Sequence, residues 1–372
     1  MPLPEHAQPA VGRLLLQWHL TDRCNLSCAH CYQDDADGTE MPFGELPGVL
    51  AQFELLLAEM GRLGGRPARG HITLTGGEPF LRPDLWGLLE LLAGSSPRRS
   101  FAILTNGTLI DGGLARRLAE LRPAFVQVSV EGGEETHDRI RGRGSHAAAT
   151  AGLRHLVAAG IHAVIAFTAH RGNWREFPDV AGLGRRLGVR RVWADRLVPC
   201  GRGADLSGAT LGPEEAEGFF RLMLRERRCR PAGRTEIAMG RALQFLVAGG
   251  LPYRCVAGES LLALLPDGAV LPCRRLPLPV GDVRHASLRD LYFESPILRE
   301  LRDRRRVPAG CERCFHSLEC RGGARCLALA AGGDAFRADP GCWLARRQDA
   351  ADDPQGGFDS EVAALIRSGA GA

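Results

Sequence analysis

The sequence contains no lysine: all 47 of its basic residues are arginine. That absence excludes Schiff-base amines, a pyridoxal-phosphate anchor and the phosphate-binding lysine of P-loop enzymes. Charge of one sign is not in excess either, because 43 Asp and Glu leave a formal balance of only +4, which gives no sign of a nucleic-acid partner. Long apolar runs are missing. The longest uncharged stretch, His155 to His170, is broken by Gly160 and His162 and is too short to span a bilayer. The first eleven residues carry Pro2, Pro4, Glu5 and Pro9 with no basic-then-apolar pattern, which argues against a secretory signal. Cytoplasmic placement is therefore expected. Against these absences stand 12 cysteines in 372 residues, and in reducing cytosol closely spaced thiols bind metal more often than they form disulfides.

From residue 14 to about 197, short β-rich runs alternate with amphipathic stretches, the pattern of repeated β-α units on a parallel sheet. The expected strands are Leu14 to Leu20, His71 to Thr75, Phe101 to Thr105, Phe125 to Val130, His162 to Thr168 and Arg191 to Asp195. Helical spacing fills Phe43 to Met60, Asp84 to Leu92, Gly113 to Leu121, His146 to Ala159 and Trp174 to Leu187. Right-handed crossovers would roll these units into a partial (β/α)6 barrel of the α/β class. Reactive groups then belong just after the carboxyl ends of strands. Cys24 follows the first strand, Gly76 to Pro79 the second and Asn106 the third, and Ser129 to Glu131 end the fourth. The division expected is a lead-in over 1–13, a barrel over 14–210, a helical bridge over 211–251, a Cys-rich domain over 252–346 and a tail over 347–372. Two helices, Pro213 to Arg225 and Thr235 to Ala248, would form the bridge. In the Cys-rich part, metal rather than an apolar core would organise the chain.

Three cysteines fall within Cys24-Asn-Leu-Ser-Cys28-Ala-His-Cys31-Tyr32. Three thiolates on one short loop can ligate three irons of a four-iron cluster and leave the fourth open to a small molecule. A zinc site or a group of redox thiols is the alternative use. His30, between two cysteines, reads as a spacer.

At this point the chain resembles the radical S-adenosylmethionine (SAM) enzymes. Members of that family bind SAM to the open iron through its methionyl amine and carboxylate, and cleave it reductively to a 5'-deoxyadenosyl radical that abstracts hydrogen from a substrate. The resemblance implies that Cys24, Cys28 and Cys31 hold this catalytic cluster. Gly76-Gly77-Glu78-Pro79 matches the family loop assigned to the methionyl amine, for which Glu78 supplies the acceptor. Ser129 and Arg141, twelve residues apart, match the pair that addresses SAM's ribose and carboxylate. The family usually has Asp where this chain has Glu131. Asn106, in Thr105-Asn106-Gly107, resembles a site-lining loop residue, and Tyr32 is placed to pack near adenine or to cover the cluster.

The later cysteines resemble the SPASM extension of peptide-modifying members, which usually holds two auxiliary four-iron clusters. Its pattern is met by Cys255, Gly268, Cys273, Cys311-x2-Cys314-x5-Cys320, Cys326 and Cys342. By the family's interleaving, Cys311, Cys314, Cys320 and Cys342 complete one cluster. Cys255, Cys273 and Cys326 hold the other, with one iron open or ligated by something else. Five residues separate Cys320 from Cys326 where three are commonest, so the loop must bulge. Arg274 stands where sulfatase-maturing members carry a carboxylate base, which argues against formylglycine formation. Cys200 and Cys229 read as incidental thiols, and Arg304-Arg305-Arg306 as a solvated face or a contact for an acidic leader peptide.

The resemblance therefore implies an oxidoreductase acting on a ribosomally made precursor peptide or small protein, with flavodoxin or ferredoxin as external electron donor. The stretch before the first strand is too short for a winged leader-binding domain. Leader recognition would then need a separate leader-peptide-binding protein or the barrel mouth. The alternatives are a haem-synthesis-like enzyme acting on a small molecule, and a non-catalytic iron-sulfur or zinc scaffold.

Overall fold

The computed structural model describes residues 12–33, 39–94, 99–229 and 235–345. The tail expected over 347–372, and all but the end of the lead-in, lie outside them. Strands β1 (Arg13–His19), β2 (Arg69–Thr75), β3 (Arg99–Thr105), β4 (Val126–Ser129), β5 (Ala163–Ala169) and β6 (Arg191–Arg196) pair in sequence order and in parallel. Helices α1 (Leu46–Gly64), α2 (Leu85–Ala93), α3 (Gly112–Glu120), α4 (Glu134–Arg141), α5 (Ser145–Ala158) and α6 (Phe177–Leu187) form the crossovers.

Strand alternation divides the sheet into two chemically different faces. Leu14, Leu16, Trp18, Ile72, Leu74, Ile103, Val126, Val128, Ile165, Phe167, Val192 and Ala194 are buried on the face that receives the helices. The opposite, inner face is polar. The register places Gln17 beside Thr73, His19 beside Thr75, Ser129 beside Ala166 and Thr168 beside Asp195. Across it, Trp193 Nε1 donates to Gln127 Oε1 at 3.0 Å.

The bridge departs from the sequence reading. Helix α7 (Pro213–Arg228) forms, but residues 235–248 do not make a second long helix. Glu236–Ala238 instead pair in parallel with β6 as β7, and only Phe245–Ala248 are helical (α8). Gln244 Oε1 accepts the amides of Gly240 and Arg241, and Leu243 takes a φ of 67°. These features hold a turn where helical periodicity suggested continuity.

The Cys-rich part also enters the main sheet. Strand β8 (Leu261–Leu264) pairs in parallel with β1, and β9 (Ala269–Leu271) and β10 (Gly281–Asp282) extend the same edge antiparallel. The helices α9 (Leu288–Glu294) and α10 (Pro296–Arg302) bury Leu288, Tyr292, Leu298 and Leu301, so this region has an apolar core of its own as well as its cysteines. The short α11 (Ser317–Cys320) and then α12 (Arg325–Gly332) complete it. Among the described residues, no helix is long and apolar enough to cross a membrane.

Candidate metal and cofactor site

The loop after β1 carries Cys24, Cys28 and Cys31, all free thiols, and is fastened from three sides. The amide of Gly77 donates to Thr21 O at 2.7 Å, and that of Glu78 to Arg23 O at 2.8 Å. A Cβ on Gly76 would stand 2.3 Å from Thr21 O, and one on Gly77 2.2 Å from Arg23 O, so both glycines are required by the backbone of the cysteine loop itself. On a second side, Asn106 Nδ2 donates to Asn25 Oδ1 at 2.9 Å and lies 3.9 Å from Cys24 Sγ. On the third, the segment after β6 lies against the loop, with Gly203 N donating to Cys31 O at 2.9 Å.

Glu78 is fully buried beneath this loop. Its carboxylate accepts from Thr105 Oγ1 at 2.8 Å, Asn106 N at 2.9 Å and Phe80 N at 3.3 Å. Burial nevertheless pushes its pKa up to about 7, since those hydrogen bonds only partly offset the loss of water. A buried carboxyl poised near neutrality takes its charge readily once a cation arrives beside it.

Glu131 has the opposite electrostatic fate. Burial alone would raise its pKa, but Arg141 and then His30 outweigh it and hold the carboxyl well below the usual carboxylate range. Arg141 reaches Glu131 Oε1 through Nη2 at 2.5 Å and Nε at 3.0 Å, and its Nη1 lies 3.6 Å from Cys28 Sγ. His30 Nε2 stands 3.3 Å from the same carboxylate oxygen, and Oε2 accepts from Thr168 N at 2.8 Å. His30, read from sequence as a spacer, therefore ties the cysteine loop to the end of β4, and Glu131 is the anchor of that corner. Two signals in the sequence marked this position: its place at the end of the fourth strand and the departure from Asp to Glu at 131.

Ser129 ends β4 on the inner face and is half-buried. Tyr32 packs edge-on against His19, ring centroids 6.0 Å apart, and bonds Thr75 through its hydroxyl, while the Arg274 guanidinium lies 5.9 Å from its ring centre.

In the carboxyl-terminal region Cys311, Cys314, Cys320 and Cys342 line one pocket, together with Asp339, His316 and Phe245. The bulge between Cys320 and Cys326 is a run of three left-handed residues, Arg321, Gly322 and Gly323, with φ of 56°, 84° and 76°. Cys255, Cys273 and Cys326 form a second group whose members interact electrostatically. The two segments that bring Cys255 and Cys273 together are joined by Gly258 N donating to Pro272 O at 3.2 Å. Burial, and then neighbouring thiols, push Cys311 and Cys320 up to about 12, so these groups stay protonated until metal displaces the proton.

Among the described residues, no three His, Cys, Asp or Glu side chains converge as they would around a single metal ion. Four thiols standing apart around a shared pocket suit a cluster that occupies the space between them, and an all-thiol donor set is the one iron-sulfur clusters use.

Residues 18–183 match the Radical SAM superfamily and residues 255–315 the SPASM iron-sulfur cluster-binding domain. The chain is 31% identical over 370 residues to pre-heme d1 synthase of Dinoroseobacter shibae, covering 92% of this chain and 89% of that protein. It is 27% identical to AdoMet-dependent heme synthase of Methanosarcina barkeri, over 88% of this chain and 95% of the relative. Mycofactocin maturase MftC of Mycobacterium ulcerans is 30% identical, with 88% and 87% covered. In fold, SAM-bound Streptococcus suis SuiB superposes with a TM-score of 0.70 at 16% identity, over 90% of this chain and 78% of SuiB. AdoMet-bound anSMEcpe gives 0.69 at 17%, over 96% and 99%. Iron-sulfur clusters and SAM are accordingly its cofactors, and its sheet is the partial TIM-like barrel of these enzymes. The chain is an enzyme of the radical SAM superfamily, with a SPASM domain at its carboxyl-terminal side.

Proposed function

We propose that this enzyme abstracts hydrogen from a ribosomally made peptide or small protein presented at the inner face of the barrel. Cys24, Cys28 and Cys31 hold the catalytic four-iron cluster, which when bound supplies the electron for reductive cleavage of SAM. Glu78 receives the methionyl ammonium of SAM, and its three hydrogen bonds keep the carboxylate aimed while the adjacent positive charge lowers its pKa and its proton leaves to solvent. Arg141, oriented by Glu131, offers its remaining guanidinium edge to the SAM carboxylate, and Ser129 meets the ribose. Asn106 steadies Cys24, and Tyr32 forms the wall nearest adenine. Gly76 and Gly77 act through the backbone, by letting the Glu78 loop lie against the cysteine loop. Of the auxiliary sites, Cys311, Cys314, Cys320 and Cys342 hold one cluster and Cys255, Cys273 and Cys326 the other. An external flavodoxin- or ferredoxin-type donor supplies the reducing electron, and a separate protein or the barrel mouth recognises the substrate.

The single observation that carries the SAM half of this reading is the convergence of Cys28, Arg141, Glu131 and His30 at the carboxyl ends of the strands, opposite buried Glu78. The peptide half is supported by the likeness to mycofactocin maturase. The likeness to haem synthases, which is as extensive, favours a tetrapyrrole as the second reading. Anaerobic assays of SAM cleavage, with candidate precursor peptides in one arm and tetrapyrrole carboxylates in the other, separate them. Substrate-dependent 5'-deoxyadenosine with a mass change on the peptide supports the first, and the same with the tetrapyrrole replaces it by the second.

A further inference from the structure

Strand β6 ends in two consecutive charged residues that point to opposite faces of the sheet. On the inner face, Asp195 Oδ2 accepts from Nη2 of Arg275 at 2.7 Å, and Arg275 lies two residues beyond Cys273. On the outer face, Arg196 makes a two-pronged ion pair with Asp339, Nη1 to Oδ1 at 2.8 Å and Nη2 to Oδ2 at 2.5 Å, and both side chains are buried. Asp339 also lines the pocket of Cys311, Cys314, Cys320 and Cys342, and its oxygens accept the amides of Ala324 and Gly341 at 2.9 Å each. One strand end thus reaches both cysteine groups through two ion pairs of opposite polarity.

Which member of each pair dominates its site follows from where it stands: Arg275 lies two residues beyond Cys273 in the chain, and Asp339, but not Arg196, lines the four-cysteine pocket. Cys273 and Cys326 interact more strongly with the Arg275 cation than with Asp195. Cys311, Cys320 and Cys342 instead feel the Asp339 carboxylate. Reducing an iron-sulfur cluster adds one electron to it. A fixed cation stabilises that added charge and a fixed anion opposes it; Asp339 is buried away from solvent screening, and Arg275 is partly exposed and so partly screened.

We propose that the end of β6 polarises the two auxiliary sites in opposite senses: Arg275 raises the reduction potential of the cluster on Cys255, Cys273 and Cys326, and Asp339 lowers that of the cluster on Cys311, Cys314, Cys320 and Cys342. This rests on the reading that both cysteine groups hold iron-sulfur clusters. The three-cysteine site, reached from the substrate-facing side through Asp195, is then the auxiliary site that takes up an electron first.

The test is an EPR-monitored redox titration of the full chain with Cys24, Cys28 and Cys31 replaced by Ala, so that only auxiliary clusters report. A Cys342→Ser variant assigns the two signals. The expected result is a higher potential for the three-cysteine cluster. Arg275→Gln lowers that potential by at least tenfold in the one-electron equilibrium, about 59 mV. Asp195→Asn raises it, and Asp339→Asn raises the other cluster's potential alone. Arg275→Gln and Asp195→Asn alter the same ion pair, so a merely structural disturbance moves the potential the same way in both, and that outcome would overturn the proposal. So would potentials that none of the three variants moves. Absence of auxiliary iron and of its signals before any charge is altered overturns the cluster reading underneath, and the proposal with it.

Discussion

Replacing Glu131 by Gln leaves Arg141 and His30 facing one another without the carboxylate between them. Breaking a buried pair by removing one partner strands the other, at a cost of about 3 kcal/mol. Chemical denaturation of Glu131→Gln should show a loss of that order, together with weaker SAM binding because Arg141 is no longer oriented. The folded-state pKa of Glu131 lies below its ordinary 4.5, so its stabilisation is complete above that pH and is lost as pH falls further. Glu78 works in the other direction. Its folded pKa is raised to about 7 by burial, so below neutrality it is protonated and has no charge to offer an ammonium. SAM affinity, measured by equilibrium dialysis under anaerobic conditions, should fall by about tenfold per pH unit below 7. Glu78→Gln should bind weakly and show no such slope.

Elements place these residues at and just beyond the carboxyl ends of the parallel strands, and much of that placement was legible beforehand. The six parallel strands followed from period-two runs separated by helical ones, and the rule that loops at strand carboxyl ends carry function located Cys24, Glu78, Asn106 and Ser129. The His30–Glu131–Arg141 corner was not legible, because it joins residues about a hundred positions apart through side-chain geometry that spacing cannot encode. Thr235 to Ala248 misled because its apolar spacing fits a helix, while Ile237 is claimed by the open edge of β6 and Gln244 caps a turn. The edge strand β8 was hidden for a related reason: Leu261–Leu264 is a short apolar run that becomes a strand only because β1 offers it an edge. Gly77→Ala tests the loop logic. The added Cβ meets Arg23 O, a backbone atom that cannot swing aside, and the variant should lose about 1–3 kcal/mol of stability. It should also lose iron at the Cys24, Cys28 and Cys31 site, measured as iron per chain after reconstitution.

At the scale of the whole molecule, barrel and SPASM region share one ten-stranded sheet and a buried Arg196–Asp339 pair. A chain ending at residue 251 would expose the Leu15–Trp18 edge of β1 and strand Arg196 without its partner. Such a truncation should be insoluble or aggregated by size-exclusion chromatography, rather than a free-standing barrel. The most direct test of the central claim is to measure iron, zinc and 5'-deoxyadenosine together after anaerobic reconstitution, in the wild type and in a Cys24→Ala, Cys28→Ala, Cys31→Ala variant. About twelve irons per chain, as three four-iron clusters require, with dithionite-dependent 5'-deoxyadenosine that disappears in the variant, is the predicted result. Zinc in place of iron, or cleavage that survives loss of the three thiols, would contradict it.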